Sequence, residues 1–192
     1  MTEEEGETVR IVVTAFEPFG GSAVNASLEA VRLLEDVETA VLPVSFARVG
    51  EALRGIVASR PDAVVCTGEA GGRSAVSVER IAVNLMDAGI PDNDGARPVD
   101  REILPGGPAA YLSTLPTRPI AERIRACGIP AELSYTAGTY VCNCAFYRLM
   151  AAIRAEGSRI PGGFIHVPAA GMPPERAAEA LRIAVRILRE GL

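Results

Sequence analysis

The sequence predicts an α/β protein built on a largely parallel sheet flanked by helices. Three observations carry that expectation: short β-branched runs without polar alternation, helical stretches lying between them, and unusual residues gathered directly after the strands. Arg10-Ile-Val-Val-Thr-Ala15 is the first such run, and it suits a strand covered on both faces. The turn Glu17-Pro-Phe-Gly-Gly21 follows, then a helix capped by Asn25 with Leu28, Val31 and Leu34 at helical spacing. A second strand is expected near Thr39–Val44, and a helix carrying Val49, Leu53, Ile56 and Val57 runs up to Pro61. Asp62-Ala-Val-Val-Cys-Thr67 is the third strand, followed by the turn Gly68-Glu-Ala-Gly-Gly-Arg73.

The alternation of Val76 and Val78 resumes one residue out of phase at Ile81, Val83 and Leu85, which predicts a bulge or a bent strand around Glu79-Arg80. Residues 86–107 have little periodicity and read as a long binding loop or lid. A helix through Ile120, Ile124 and Cys127 ends at Gly128, and a strand covers about Ala131–Tyr135. Helix 141–156 places Cys142, Ala145, Phe146, Leu149 and Ile153 on one face. A strand containing His166 comes next, and Pro173-Pro174 opens a last helix with a stripe of Leu181, Ala184, Val185 and Leu188. Segments 16–21, 67–73, 136–142 and 166–168 all follow strands and should converge on one rim, beyond the carboxyl ends.

With 192 residues and 48% hydrophobic content, the chain has the size of one well-buried domain, 1–192, with residues 1–9 as a flexible start. A net charge of −5 with scattered basic residues excludes nucleic acid and anionic membrane as main partners. The acidic first ten residues lack an apolar signal region, and a cytoplasmic location with free thiols is expected for Cys66, Cys127, Cys142 and Cys144.

Thr136-Ala-Gly-Thr-Tyr-Val-Cys142-Asn-Cys144 leaves a thiol in the first turn of a helix, where unpaired N–H groups and the positive helix end favour a thiolate. The only histidine, His166, lies in Gly163-Phe-Ile-His-Val-Pro168. Together they are the minimum parts of a thiol nucleophile and its base. Cysteine and histidine alone are also compatible with inert packing, and Glu79 with a surface pair to Arg80.

Seven motifs bring in a resemblance. They are Thr14-Ala-Phe-Glu-Pro-Phe-Gly-Gly21 with Asn25, Gly68–Arg73, Glu79-Arg-Ile-Ala-Val-Asn84, Ile90-Pro-Asp-Asn-Asp-Gly95, Gly107–Pro116, Thr136–Asn143 and Phe164–Pro168. In this order they resemble the type I pyroglutamyl (pyrrolidone carboxyl) peptidases, cysteine exopeptidases that release pyroglutamate from peptide N-termini. The resemblance implies a single three-layer α/β/α sandwich with a twisted mixed sheet, and a homo-oligomer, commonly a tetramer. It also implies Cys142 as nucleophile, His166 as base and Glu79 as orienting acid, with no metal or cofactor. Phe16, Phe19 and Ile90 match pocket positions of that family, and Asn25 and Glu69 join them as candidate substrate contacts. Two positions depart from its pattern: Glu69 stands where Gln is usual, and Gly89 where Arg is usual. These departures motivate a rival, a weakened member that binds pyroglutamyl ligands without turnover. A nucleosidase or phosphorylase on a similar fold is the other, less favoured for want of a basic phosphate cluster.

Overall fold

The computed structural model describes residues 9–192. The expected flexible start therefore lies outside the described residues, but for Val9. Thirteen elements follow in order: β1 Ile11–Phe16, α1 Ala26–Val31, β2 Glu38–Leu42, α2 Val49–Ala58, β3 Ala63–Ala70, β4 Val76–Glu79, β5 Ile81–Val83, β6 Ala110–Leu112, α3 Thr117–Ala126, β7 Ala131–Ser134, α4 Val141–Ala155, β8 Gly162–Pro168 and α5 Pro174–Gly191. Six strands form one sheet in the order β2-β1-β3-β8-β4-β7. All neighbours pair in parallel except β8 and β4.

The two faces of the sheet carry different helices, which makes three layers. Ile11, Val13 and Ala15 of β1 point into one core with α1, α3 and α5. Phe16, Val64, Cys66 and Phe164 point into the other, with α2 and α4. The continuous apolar runs of β1 and β3 are buried because both faces are covered, as the absence of alternation required.

Helix α1 begins where expected. The Asn25 side chain accepts hydrogen bonds from the N–H groups of Ser27 and Leu28. The helix stops at Val31, short of Leu34, because the N–H groups of Leu33 and Leu34 turn to carbonyls three residues back and tighten the last turn. Leu34 is buried from that turn rather than from the helix.

The phase break at Glu79-Arg80 is not a bulge. The chain leaves the main sheet after Glu79, and β5 pairs antiparallel with β6 in a second, two-stranded sheet. Each strand keeps its own inward face, so the hydrophobic phase resets at the change of sheet. Strand β6 went unrecognised because three residues are too few to display a period. The Asn143 side chain, fully buried, fastens this small sheet to α4. It donates to the carbonyls of Val83 and Leu85 and accepts from the Val83 N–H, at 2.9 to 3.0 Å.

Segment 86–107 forms neither helix nor strand beyond one bridge, Met86 with Arg101. It is nonetheless tied down on several sides. Asp92 accepts from the Phe46 N–H, Asn93 donates to Glu17 and to the Pro18 carbonyl, and Arg48 grips Asp94 with two bonds of 2.8 Å.

Candidate active site

Two rows of residues run across the strands on the α4 side of the sheet. Glu132 of β7, Ser77 of β4, His166 of β8 and Gly68 of β3 are register partners in one. Ser134, Glu79, Phe164, Cys66 and Thr14 of β1 are partners in the next. A sheet face expected to be apolar is thus polar along its middle. Such groups are normally held by bonds to one another; the Thr14 hydroxyl is the member of these rows left without a partner among the described residues.

Glu79 is fully buried, and its Oε1 lies 2.8 Å from His166 Nδ1 and 2.6 Å from the guanidinium of Arg73. A carboxylate oxygen accepts from Nδ1–H, which leaves Nε2 as the free acceptor of the ring. Arg80 takes no part in this; its guanidinium lies over the Tyr135 ring instead, 5.8 Å from its centre. The imidazole of His166 is also packed against Phe164, with ring centres 4.7 Å apart.

Cys142 occupies the second position of α4, whose cap residue Tyr140 makes no side-chain capping bond. The first-turn N–H groups therefore have no partner from the helix or its cap. The thiol is seated on Gly68. A methyl group there would come within 3.0 Å of Cys142 Sγ and 2.9 Å of the Phe164 ring, so only glycine leaves room for the sulfur. Since Gly68 and His166 are register partners, thiol and imidazole share one row of the sheet.

The convergence on one rim holds only for β1, β3 and β8. Strands β4 and β7 run the other way, and their last residues, Glu79 and Ser134, stop level with Cys66 and Phe164 in mid-sheet. Residues 135–140 bring the chain from there to the start of α4. The site lies on the face of the sheet, under the first turn of that helix.

The thiol's electrostatics also differ from the helix-start expectation. Burial pushes Cys142 up to about 12, the carboxylates of Glu79 and Glu69 push the same way, and Arg73 opposes them. Desolvation thus disfavours the thiolate, against the pull of the helix end, although Cys142 is only part-buried. Removing one of the opposing carboxylates should therefore favour the thiolate. Glu69→Gln is expected to raise the alkylation rate of Cys142 by iodoacetamide at pH 8 by roughly 3- to 10-fold, with peptide mass spectrometry identifying the modified thiol. An unchanged rate would remove Glu69 from the electrostatics of the site.

Glu69 itself reaches to the other layer, where Oε2 accepts from the Ala26 N–H of α1 at 2.6 Å. A carboxylate serves this acceptor role as well as an amide would. Asn25 is buried, and its oxygen caps α1 while its Nδ2 donates to the Glu17 carbonyl at 3.3 Å. Phe16 is buried against Phe164, ring centres 6.4 Å apart. Phe19 packs on Tyr140 at 5.8 Å, and Tyr140 is edge-on to Phe46 and donates its hydroxyl to the Pro91 carbonyl. Ile90 is 45% exposed and lies beside Gly20 of the turn that follows β1. Gly89 faces open space, so the larger side chain usual in the family would fit.

Cys66 and Cys144 are buried and Cys127 is exposed. Cys144 is therefore packed in the core and unavailable for cross-linking subunits. Among the described residues, no group of three His, Cys, Asp or Glu side chains is placed to hold a metal ion. Arg73 and Tyr140 are the site residues that sequence reasoning did not single out, although both lie within motifs quoted above.

The family model described as pyroglutamyl peptidase matches residues 9–185. The chain belongs to the pyroglutamyl peptidase family. Pyrrolidone-carboxylate peptidase of Thermococcus kodakarensis is 45% identical over 193 aligned positions, covering 96% of this chain and 92% of the relative. The Bacillus subtilis enzyme of the same name is 45% identical over 167, covering 83% and 78%. Among solved structures, pyroglutamyl peptidase I of Bacillus amyloliquefaciens superposes with a TM-score of 0.88 at 41% identity, covering 91% of this chain and 94% of that one. A mutant pyrrolidone carboxyl peptidase of Pyrococcus furiosus gives 0.89 at 37% identity, covering 95% and 99%. The α/β fold of the pyroglutamyl peptidases, with its mostly parallel mixed sheet between helix layers, is the fold of this chain.

Proposed function

We propose that this chain is a cysteine exopeptidase that releases N-terminal pyroglutamate from peptides, with Cys142 as nucleophile, His166 as general base and Glu79 as the acid that orients it. The observation that carries the reading is the buried Glu79 carboxylate 2.8 Å from Nδ1 of the chain's only histidine, in the row of the sheet next to the thiol's seat on Gly68.

Glu79 holds the ring with Nδ1 protonated, so Nε2 takes the thiol proton as sulfur attacks the scissile carbonyl. Burial that disfavours a free thiolate favours a transfer that accompanies attack over one that precedes it. The first-turn N–H groups of α4 receive the developing oxyanion, a contribution of about 3 kcal/mol per donor in measured sites of this kind. Imidazolium then protonates the leaving amine, and the ring activates water to release the acyl group.

Pyroglutamate is a flat neutral lactam, which suits an apolar wall with a few polar contacts. Phe19, Tyr140 and Ile90 supply that wall at the surface, and Phe16 supports it from below. Asn25 and Glu69 act on the substrate through α1, since their side chains are bonded to that helix and its turn. Free cysteines fit a reducing, cytoplasmic setting. The homotetramer implied by the resemblance has exposed apolar side chains to draw on, Val41, Val99, Leu112 and Tyr135 among them.

The test is hydrolysis of pyroglutamyl-aminomethylcoumarin beside its prolyl analogue. A site that bonds the lactam carbonyl should prefer the first by about 100-fold or more in kcat/KM, because proline leaves its polar partners unpaired. Equal rates on both compounds would refute the specificity. Ligand binding without turnover would favour the non-catalytic rival.

A further inference from the structure

We propose that Arg73 is a positioning residue for the base: it neutralises the Glu79 carboxylate and ties it to the nucleophile turn, so that His166 is held uncharged with Nε2 open to the thiol. This rests on the triad reading above and deepens it.

Arg73 bonds on two sides. One terminal nitrogen donates to Glu79 Oε1 at 2.6 Å and lies 3.5 Å from Ser134 Oγ. The other donates to the Thr136 carbonyl at 2.8 Å, six residues ahead of Cys142. The turn that brings it there needs Gly72, whose φ of +76° only glycine adopts without strain. A single guanidinium thus joins the end of β4, the end of β7 and the segment leading into α4.

The chemical argument follows from sharing one oxygen. Glu79 has no exposure, and its Oε2 has no partner among the described residues, so Oε1 carries both bonds. A buried carboxylate facing histidine alone would draw a proton onto the ring and form an ion pair. An imidazolium cannot take the thiol proton. Arg73 is already charged, satisfies the carboxylate, and leaves the ring its neutral form. Other charged or titratable groups around the ring are Glu132 of β7, Glu69 and Cys66 of β3, and Cys142 of α4. Arg73 is the cation among those named.

One histidine makes the test direct, because its imidazole resonances report a single site. The ring is titrated by 15N NMR in wild type, Arg73→Met, Arg73→Gln and Arg73→Lys, alongside pH profiles of kcat and KM on the pyroglutamyl substrate. In Arg73→Met and Arg73→Gln the titration midpoint should rise by about one pH unit or more relative to wild type. The acid limb of kcat/KM should move with it, and kcat at pH 7 should fall about 10-fold or more while KM stays within about 2-fold. Arg73→Lys keeps the charge without the fork and should restore most of the midpoint.

An unmoved midpoint in a folded neutral variant would overturn the proposal, whatever its melting temperature. If neither neutral variant folds, a midpoint in Arg73→Lys that rises as far as loss of the charge predicts would overturn it equally. Failure of the functional reading would show separately, as no hydrolysis by wild type, with the NMR comparison still decisive for Arg73.

Discussion

Cys142→Ser is expected to lose hydrolysis of the pyroglutamyl substrate by on the order of 10⁴-fold in kcat, as removal of a nucleophile does in comparable triads. The replacement oxygen would occupy the same seat above Gly68, where burial first and the Glu79 and Glu69 carboxylates second disfavour ionisation. A hydroxyl is a far weaker acid and a poorer nucleophile than a thiol, so general-base help from His166 in a site shaped for sulfur would not restore the rate. Folding should be nearly unchanged, because a serine is well tolerated in the first turn of a helix.

Cys144→Ser is the informative control, since the same atom is exchanged two residues away. Cys144 is fully buried between α4 and the α2 side of the core, where burial pushes its thiol up to about 11. A hydroxyl placed there is desolvated but can accept from Arg148, whose Nε has no other partner among the described residues, so the cost stays at or below about 1 kcal/mol and thermal denaturation should shift by a few degrees at most. Its kcat should stay within about 2-fold of wild type at 25 °C. Hydrolysis that survives in Cys142→Ser, or that vanishes in a folded Cys144→Ser, would assign the chemistry to the wrong sulfur.

Glu79→Gln should be nearly as damaging to the reaction while leaving the fold in place. The amide is the same size but neutral: its oxygen can still accept from Nδ1–H and from Arg73 at the Oε1 place, yet it no longer stabilises the imidazolium that forms as the thiol proton is taken. A loss of about 10³- to 10⁴-fold in kcat is expected, matching the effect of amide substitution in an orienting acid. Arg73, only 25% exposed, loses its ionic partner but keeps a neutral acceptor, so a stability loss of up to about 3 kcal/mol accompanies the kinetic effect. Steady-state kinetics and a melting curve on one preparation separate the two effects. A Glu79→Gln enzyme within about 10-fold of wild type would show that His166 does not depend on this carboxylate for its orientation.

The strands and helices were legible because their causes are local. The unbroken apolar runs of β1 and β3, the Asn25 cap and the stripe of α5 each depend on residues within a few positions of one another. The phase break beside Glu79 was equally visible, but its meaning was not. A bulge and a change of sheet produce the same shift in a linear pattern, and only pairing with β6 distinguishes them. Leu34 shows the same limit: its spacing fits a helix that three-residue hydrogen bonds end early.

By itself the sequence determined which groups could do chemistry: a cysteine opening a helix, one histidine on a strand, and motifs in an order that identifies a family. Tertiary structure alone decided their partners and their burial. The raised pKa of Cys142, the two hydrogen bonds to Glu79 Oε1, the Arg73 clamp and the seat on Gly68 join residues 6 to 87 positions apart in the chain, or arise from burial between layers. Their physical basis is register and desolvation. Antiparallel pairing of β4 with β8 brings Glu79 beside His166, and the α4 layer removes the water that would otherwise set the thiol's acidity.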